Sequence, residues 1–205
     1  MYKIAVFVSG RGSNLKAVFN ALTHKNGKAE IVAVVSDKID CPAFEFAVRN
    51  NLQTFSVAAN KKNNILSYSE LLTKLKQLNT DLIVLAGFLK KIPEILIENF
   101  ENKIINIHPA LLPAFGGKGM YGMNVHKAVF KKSAQLSGPT IHFVDKIYDN
   151  GKIIAQECVD ISDVKTPEEI AERVLKIEHK ILPEVILKFA ENKVIEKNGR
   201  IYLLK

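Results

Sequence analysis

Short apolar runs recur along the first half of the chain and alternate with stretches whose apolar residues fall at helical spacing. KIAVFV (3–8), IVAVVS (31–36), TFSV (54–57), LIVLA (82–86) and IINI (104–107) predict strands. Several are apolar at successive positions, the pattern of strands covered on both faces. Helices are predicted from about Asn14, after Cys41-Pro42, where proline suits the first helical position, and over 65–78. The last carries apolar residues at Ile65, Leu71, Leu72, Leu75 and Leu78. Strand, helix and strand in repeated succession imply an α/β fold with a single doubly wound, mostly parallel sheet.

After Pro113 the pattern changes. A glycine-rich stretch, FGGKGMYGMN, leads to a short predicted helix over 125–131. GPTIHFVDKIY and KIIAQECVDI read as two strands around Asp149, Asn150 and Gly151, an antiparallel hairpin signature. Thr166, Pro167 and Glu169 then mark a helix start: an N-cap, a first-turn proline and a capping-box acid. Ile170, Val174, Ile177, Ile181 and Val185 form the apolar stripe of this helix, and VIEKNGRIYLL predicts a further hairpin around Asn198-Gly199. No repeat, low-complexity tract or linker interrupts this order, so a single domain over 1–205 is expected.

Composition narrows the classes. Hydrophobic residues make up 47% and charged residues 24%, ordinary for a globular protein. No apolar window approaches the roughly 18 residues of a membrane helix, and no basic-then-apolar leader opens the sequence. Cys41 and Cys158 are far apart and form no C-x-x-C pair. A soluble, cytoplasmic protein with reduced cysteines and no membrane partner is expected. The net charge of +8 is scattered from Lys3 to Lys205, without a basic–aromatic platform. The excess lysine therefore reads as solvated surface; nucleic acid is not expected as a partner, and small-molecule substrates are. His24, His126 and His179 show no ligand spacing, so no metal is expected. Oligomeric state stays open between monomer and homodimer.

Three constellations carry chemistry. The first apolar run ends in Ser9-Gly10-Arg11-Gly12-Ser13-Asn14, where glycines allow a tight turn and the next helix offers N–H groups and a positive dipole end. Leu15 stands where a dinucleotide fingerprint needs a third glycine, and the Gly-Lys-Ser/Thr of a Walker loop is absent. A monophosphate site is favoured, with a plain turn capped by Ser13 as the alternative. Asp37, at the end of the second strand, mimics a ribose-binding acid, although acids beside turns are commonplace. In NIHPALLP, Asn106 and His108 lie two apart on a strand and share a face, and Pro109 ends that strand. An amide donor beside an imidazole suits oxyanion stabilisation coupled to proton transfer. Asp149, in YDNG, is either a turn residue or the carboxylate that orients the imidazole. It is expected to hold His108 partly protonated near neutral pH, whereas His142 reads as structural.

VSGRGSNL, LAGF, NIHPALLP, GPTIHFV and DNG together, in this order and spacing, resemble the folate-dependent formyltransferase family over essentially the whole chain. Within it they are similar to the phosphoribosylglycinamide (glycinamide ribonucleotide) formyltransferases of purine biosynthesis. The resemblance implies transfer of a formyl group from 10-formyltetrahydrofolate, as co-substrate, to the amine of 5′-phosphoribosylglycinamide. It implies Asn106, His108 and Asp149 as catalytic residues, and Gly12, Ser13, Asn14, Pro109 and Glu178 as ribonucleotide contacts. Leu89, Lys90, Lys91 and Ile92, with Asn106, Asp145 and Asp149, are implied as folate contacts. The family's folate-contacting arginine before the 65–78 helix is missing, since NKKNN (60–64) holds none. Methionyl-tRNA formyltransferases and formyltetrahydrofolate hydrolases share part of the pattern but are expected to carry an extra C-terminal or N-terminal domain. A non-catalytic phosphate-binding protein would not need the trio.

Overall fold

The computed structural model describes residues 1–24, 27–58 and 65–205. The chain divides into two compact units, Met1–Ile105 and Asn106–Lys205. The segment that lacks the family's arginine, 60–64, lies outside the described residues.

The first unit runs β1 (Tyr2–Val8), α1 (Ser13–His24), β2 (Ala29–Ser36), α2 (Pro42–Arg49), β3 (Thr54–Ser56), α3 (Tyr68–Gln77), β4 (Leu82–Leu85) and α4 (Glu94–Asn99), ending in the first residues of β5 (Ile104–His108). β1 pairs in parallel with β2 and with β4, Val6 lying opposite Val34 on one side and Val84 on the other. A central strand is covered on both faces, and Ile4 to Val8 are accordingly all buried. Pro42 opens α2 as anticipated. A capping box not anticipated opens α3: Ser67 Oγ accepts from Glu70 N, and the Glu70 carboxylate accepts from Ser67 N. This starts α3 at Tyr68 and leaves Ile65 outside it. The six-residue α4 is too short to show a helical period.

The second unit continues from the end of β5 through α5 (Met123–Lys131), β6 (Leu136–Ser137), β7 (Thr140–Phe143), β8 (Ile153–Gln156), β9 (Val159–Asp160), α6 (Pro167–Ala190), β10 (Val194–Lys197) and β11 (Arg200–Leu203). Val125 and Val129 of α5 pack with Ile161 and with Ile170 and Val174 of α6, and Ala110 joins that cluster. Burying Ala110 ties the turn after β5 to the helical core. Thr166 caps α6 as expected, but the Glu169 carboxylate accepts from Lys165 N rather than from the cap residue. β7 and β8 pair antiparallel, with Thr140 opposite Gln156. Their strands stop at Phe143 and resume at Ile153, leaving a nine-residue loop in place of a tight turn. KIIAQECVDI splits in two, its second piece forming β9 against β6. β10 and β11 make the expected hairpin: Asn198 and Gly199 both adopt positive φ, 53° and 74°, as a two-residue turn requires.

Seven strands form one sheet in the order β3-β2-β1-β4-β5-β7-β8. That is the doubly wound, mostly parallel α/β sheet expected, with antiparallel additions.

Candidate active site

In the first unit the strand order reverses between β1 and β4, where open α/β sheets bind ligands beyond their carboxyl ends. The loops after these two strands are tied together. Ser9 N donates to Gly87 O at 3.1 Å. The Ser9 hydroxyl donates to Asp37 Oδ1 at 2.5 Å and accepts from Leu89 N at 2.9 Å. Asp37 thus holds a serine, and through it the loop containing Leu89. Leu89, Lys90 and Lys91 are exposed, whereas Ile92 is buried. Gly12 has φ +69°, and a Cβ there would sit 2.8 Å from Ala43 Cβ in the first turn of α2. The turn therefore needs glycine for both its backbone angle and its approach to α2. Ser13 is half-buried and Asn14 buried in the first turn of α1, where a helix presents N–H groups outside its own ladder.

The second unit brings Asn106, His108 and Asp149 together and adds His142. The His108 ring is 3% exposed; its Nε2–H donates to Phe115 O at 2.9 Å, and Nδ1 stands 3.6 Å from Asp149 Oδ2. Asp149 adopts φ 53° and its Oδ2 accepts from Gly117 N at 2.8 Å. Asn106 Nδ2 lies 3.0 Å from His142 Nε2, and that same ring nitrogen is 3.7 Å from Asp149 Oδ1. His142 Nδ1 contacts the carbonyl of Phe143 at 2.7 Å.

The turn that follows His108 is clamped by a buried hydroxyl. Thr140 Oγ1 donates to Ala110 O at 2.7 Å and accepts from Leu112 N at 3.0 Å. Gln156 Nε2 completes the set, donating to Thr140 Oγ1 and to Leu112 O, both at 2.9 Å. One donor and two acceptor sites exhaust what a hydroxyl offers. Sequence reasoning read His142 as structural, without its place beside Asn106 and Asp149, and missed Thr140. Their position in β7, beside β5 in the sheet order, is the signal that was there to read.

The other expected residues take varied places. Pro109 is half-buried directly after β5, and Glu178 is buried in α6. Asp145 shapes its own loop, accepting from Ile147 N at 2.7 Å and from Asn150 Nδ2 at 3.1 Å. His126 is buried in α5, its Nδ1 without a hydrogen-bond partner among the described residues.

Burial dominates the electrostatics of the imidazoles. It lowers the His108 pKa, and the pull of Asp149 and of the Phe115 carbonyl, opposed further by His142, does not restore it. His108 therefore enters as a neutral ring at neutral pH, in place of the partly protonated one expected. His126 is pushed down to about 4 by burial and by His108. Burial alone would raise Asp149, but the two imidazoles and the Gly117 N–H outweigh it and hold the carboxyl below its ordinary value. An ionised carboxylate, a neutral imidazole able to gain a proton facing it, and a fixed amide donor form a constellation suited to acyl transfer. No group of three or more His, Cys, Asp or Glu among the described residues is placed to hold a metal ion.

This α/β sheet with its Asn–His–Asp cluster is of a class met before: the sequence model of the formyl transferase family matches residues 2–186. The chain is 45% identical over 205 residues to the chloroplastic phosphoribosylglycinamide formyltransferase of Arabidopsis thaliana, covering 99% of this chain and 70% of that one. It is 36% identical over 187 residues to phosphoribosylglycinamide formyltransferase of Bacillus subtilis (strain 168), covering 91% and 93%. The crystal structure of phosphoribosylglycinamide formyltransferase from Anaplasma phagocytophilum superposes with a TM-score of 0.88 at 31% identity, covering 99% and 93%. The chain belongs to the formyl transferase family and, within it, to the phosphoribosylglycinamide formyltransferases.

Proposed function

We propose that the protein transfers the formyl group of 10-formyltetrahydrofolate to the amine of 5′-phosphoribosylglycinamide, giving the formylated ribonucleotide and tetrahydrofolate in purine biosynthesis. The observation that carries the reading is the meeting of Asn106, His108 and Asp149 in one partly buried cluster, in a chain that belongs to this family. The amine attacks the formyl carbon, and the carbonyl oxygen becomes an oxyanion. An Asn106 N–H donates to that oxygen, and one such donor is typically worth on the order of 10²–10³ in rate. His108, neutral beforehand, takes the proton released by the attacking nitrogen at Nδ1. The resulting imidazolium is braced by the Asp149 carboxylate and the Phe115 carbonyl. The same proton then goes to the departing folate nitrogen, so none is gained or lost overall.

Gly12, Ser13 and Asn14 are assigned to the ribonucleotide phosphate, an assignment supported by the glycine turn and the helix start. Pro109 and Glu178 are assigned to the rest of the ribonucleotide. Leu89, Lys90, Lys91 and Ile92, with Asn106, Asp145 and Asp149, are assigned to the folate; the anchoring of Leu89 N by Ser9 favours a fixed backbone there. The family match over 2–186 supports reading the chain as one formyltransferase domain. A cytoplasmic location is favoured by two unpaired cysteines, and no helix among the described residues is long and apolar enough to cross a membrane.

The test is the absorbance change on forming the folate product, followed with and without the ribonucleotide. Product only in its presence supports the transferase. Product at the same rate without it identifies a hydrolase and overturns the assignment.

A further inference from the structure

The ring of His142 lies against two of the three residues assigned to catalysis, yet the mechanism above gives it no part. Its protonation is dictated locally. Nδ1 sits 2.7 Å from the Phe143 carbonyl oxygen, which only accepts, so Nδ1 carries a hydrogen. That carbonyl is held in place by the hairpin: Phe143 N donates to Lys152 O at 2.9 Å. A Cβ at Gly151 would lie 1.9 Å from the Phe143 oxygen, so the two backbones approach as closely as glycine alone allows. In the neutral ring the other nitrogen, Nε2, is then a lone-pair acceptor. Its neighbour at 3.0 Å is Asn106 Nδ2, a donor. Asp149 Oδ1, at 3.7 Å, is beyond hydrogen-bonding distance of Nε2 and leaves that lone pair to the amide.

An asparagine amide can be turned end for end with little change in shape, and only its partners decide which end faces where. With the oxygen turned toward His142, two acceptors would meet. We infer that His142, through its Nδ1–H tautomer, is a positioning residue that fixes the orientation of the Asn106 amide. One hydrogen of Nδ2 is spent on His142, and the second is left as a donor. The chain Gly151, Phe143 carbonyl, His142, Asn106 carries the information from a hairpin backbone to the donor. The inference rests on the proposed role of Asn106 for its catalytic consequence, but the tautomer and the amide orientation stand apart from it.

The experiment therefore has a readout separate from turnover. Long-range ¹H–¹⁵N correlation of the imidazole nitrogens in the full-length protein at neutral pH is expected to show His142 protonated at Nδ1 only. A ring protonated at Nε2, or at both nitrogens, overturns the inference whatever the variants do. Three substitutions then separate the two ring functions. His142→Gln places an amide oxygen near the Nε2 position and keeps an acceptor for Asn106. His142→Asn keeps a donor near Nδ1 but offers Asn106 nothing, and His142→Leu keeps neither. Expected kcat losses are about 10- to 100-fold for Asn and Leu, as for other misplacements of about 1 Å, with both KM values within about threefold. Gln is expected to recover most of the loss. Equal loss in Gln and Asn, or a change confined to KM, refutes the positioning role. If Asn106→Ala leaves kcat intact while the tautomer is as described, it is the reading of Asn106 as oxyanion donor that fails.

Discussion

Replacing Thr140 by valine tests the clamp on the catalytic turn. The two side chains are nearly equal in volume, so no cavity forms, and only the hydroxyl is removed. Leu112 N–H and Ala110 C=O then lose their partner in a site where Thr140 is 0% exposed. Each buried group left unpaired costs about 1–3 kcal/mol. Gln156 keeps its bond to Leu112 O, so it adds little. The sum, about 2–6 kcal/mol, is a large share of the roughly 5–15 kcal/mol that holds a domain folded. Urea unfolding followed by circular dichroism reads it directly, and thermal unfolding should fall by roughly 4–24 °C at about 2–4 °C per kcal/mol. His108 lies just before the clamped residues, so kcat is expected to fall about tenfold or more in the fraction that remains folded. Thr140→Ser keeps all three bonds and loses a methyl worth about 1 kcal/mol; it should keep near-normal kcat. A valine variant within 0.5 kcal/mol of wild type (roughly the spread of ordinary surface changes) with unchanged kcat would refute the argument.

Further outcomes follow from the same geometry. Asn106→Ala, His108→Ala and Asp149→Ala should each lower kcat by about 10²-fold or more while remaining folded, and steady-state kinetics showing full activity in any one removes it from the trio. Gly12→Ala forces a side chain into φ +69° and against Ala43, at about 1–3 kcal/mol of strain; the KM for the ribonucleotide should rise several-fold with the folate KM unchanged, and an unchanged ribonucleotide KM sends the phosphate elsewhere. His126, held near 4 when folded against 6.5 when unfolded, binds fewer protons in the native state, so its contribution is intact above pH 6.5 and lost as pH falls toward 4. That amounts to at most about 3.4 kcal/mol; His126→Leu should reduce the drop in urea midpoint between pH 7 and pH 5, and an identical drop in both proteins refutes it.

Much of this was legible in the sequence because period carries it. Ile4 to Val8 of β1 and Leu82 to Leu85 of β4 are apolar at every position, and that pattern survives into their burial. Asn106 and His108 share a face because they stand two apart on one strand. Asp149 was harder: its local pattern is that of any turn, and only the resemblance favoured the catalytic reading over the turn, since a nine-residue loop and a positive φ bring it to His108. His142 and Thr140 stayed hidden because their partners lie 36 and 28 to 30 residues away. No local pattern distinguishes a hydroxyl aimed at a distant backbone from one at the surface. The pull of burial on His108 was equally invisible, because a carboxylate can be read from a letter and desolvation cannot. The two-residue β6 and β9 and the six-residue α4 fall below the length at which a period shows.

The glycines just before β7 and just before β8 bear on how a mutational scan of this protein should be interpreted. A Cβ at Gly138 would stand 2.0 Å from Glu157 O, and one at Gly151 would be as badly placed against Phe143 O. Both positions should reject every alternative residue and so score as severely as His108, although neither offers a functional group to any reactant. Intolerance at these sites measures how closely two backbones are laid together, and a map of invariant positions would overstate the extent of the chemical machinery.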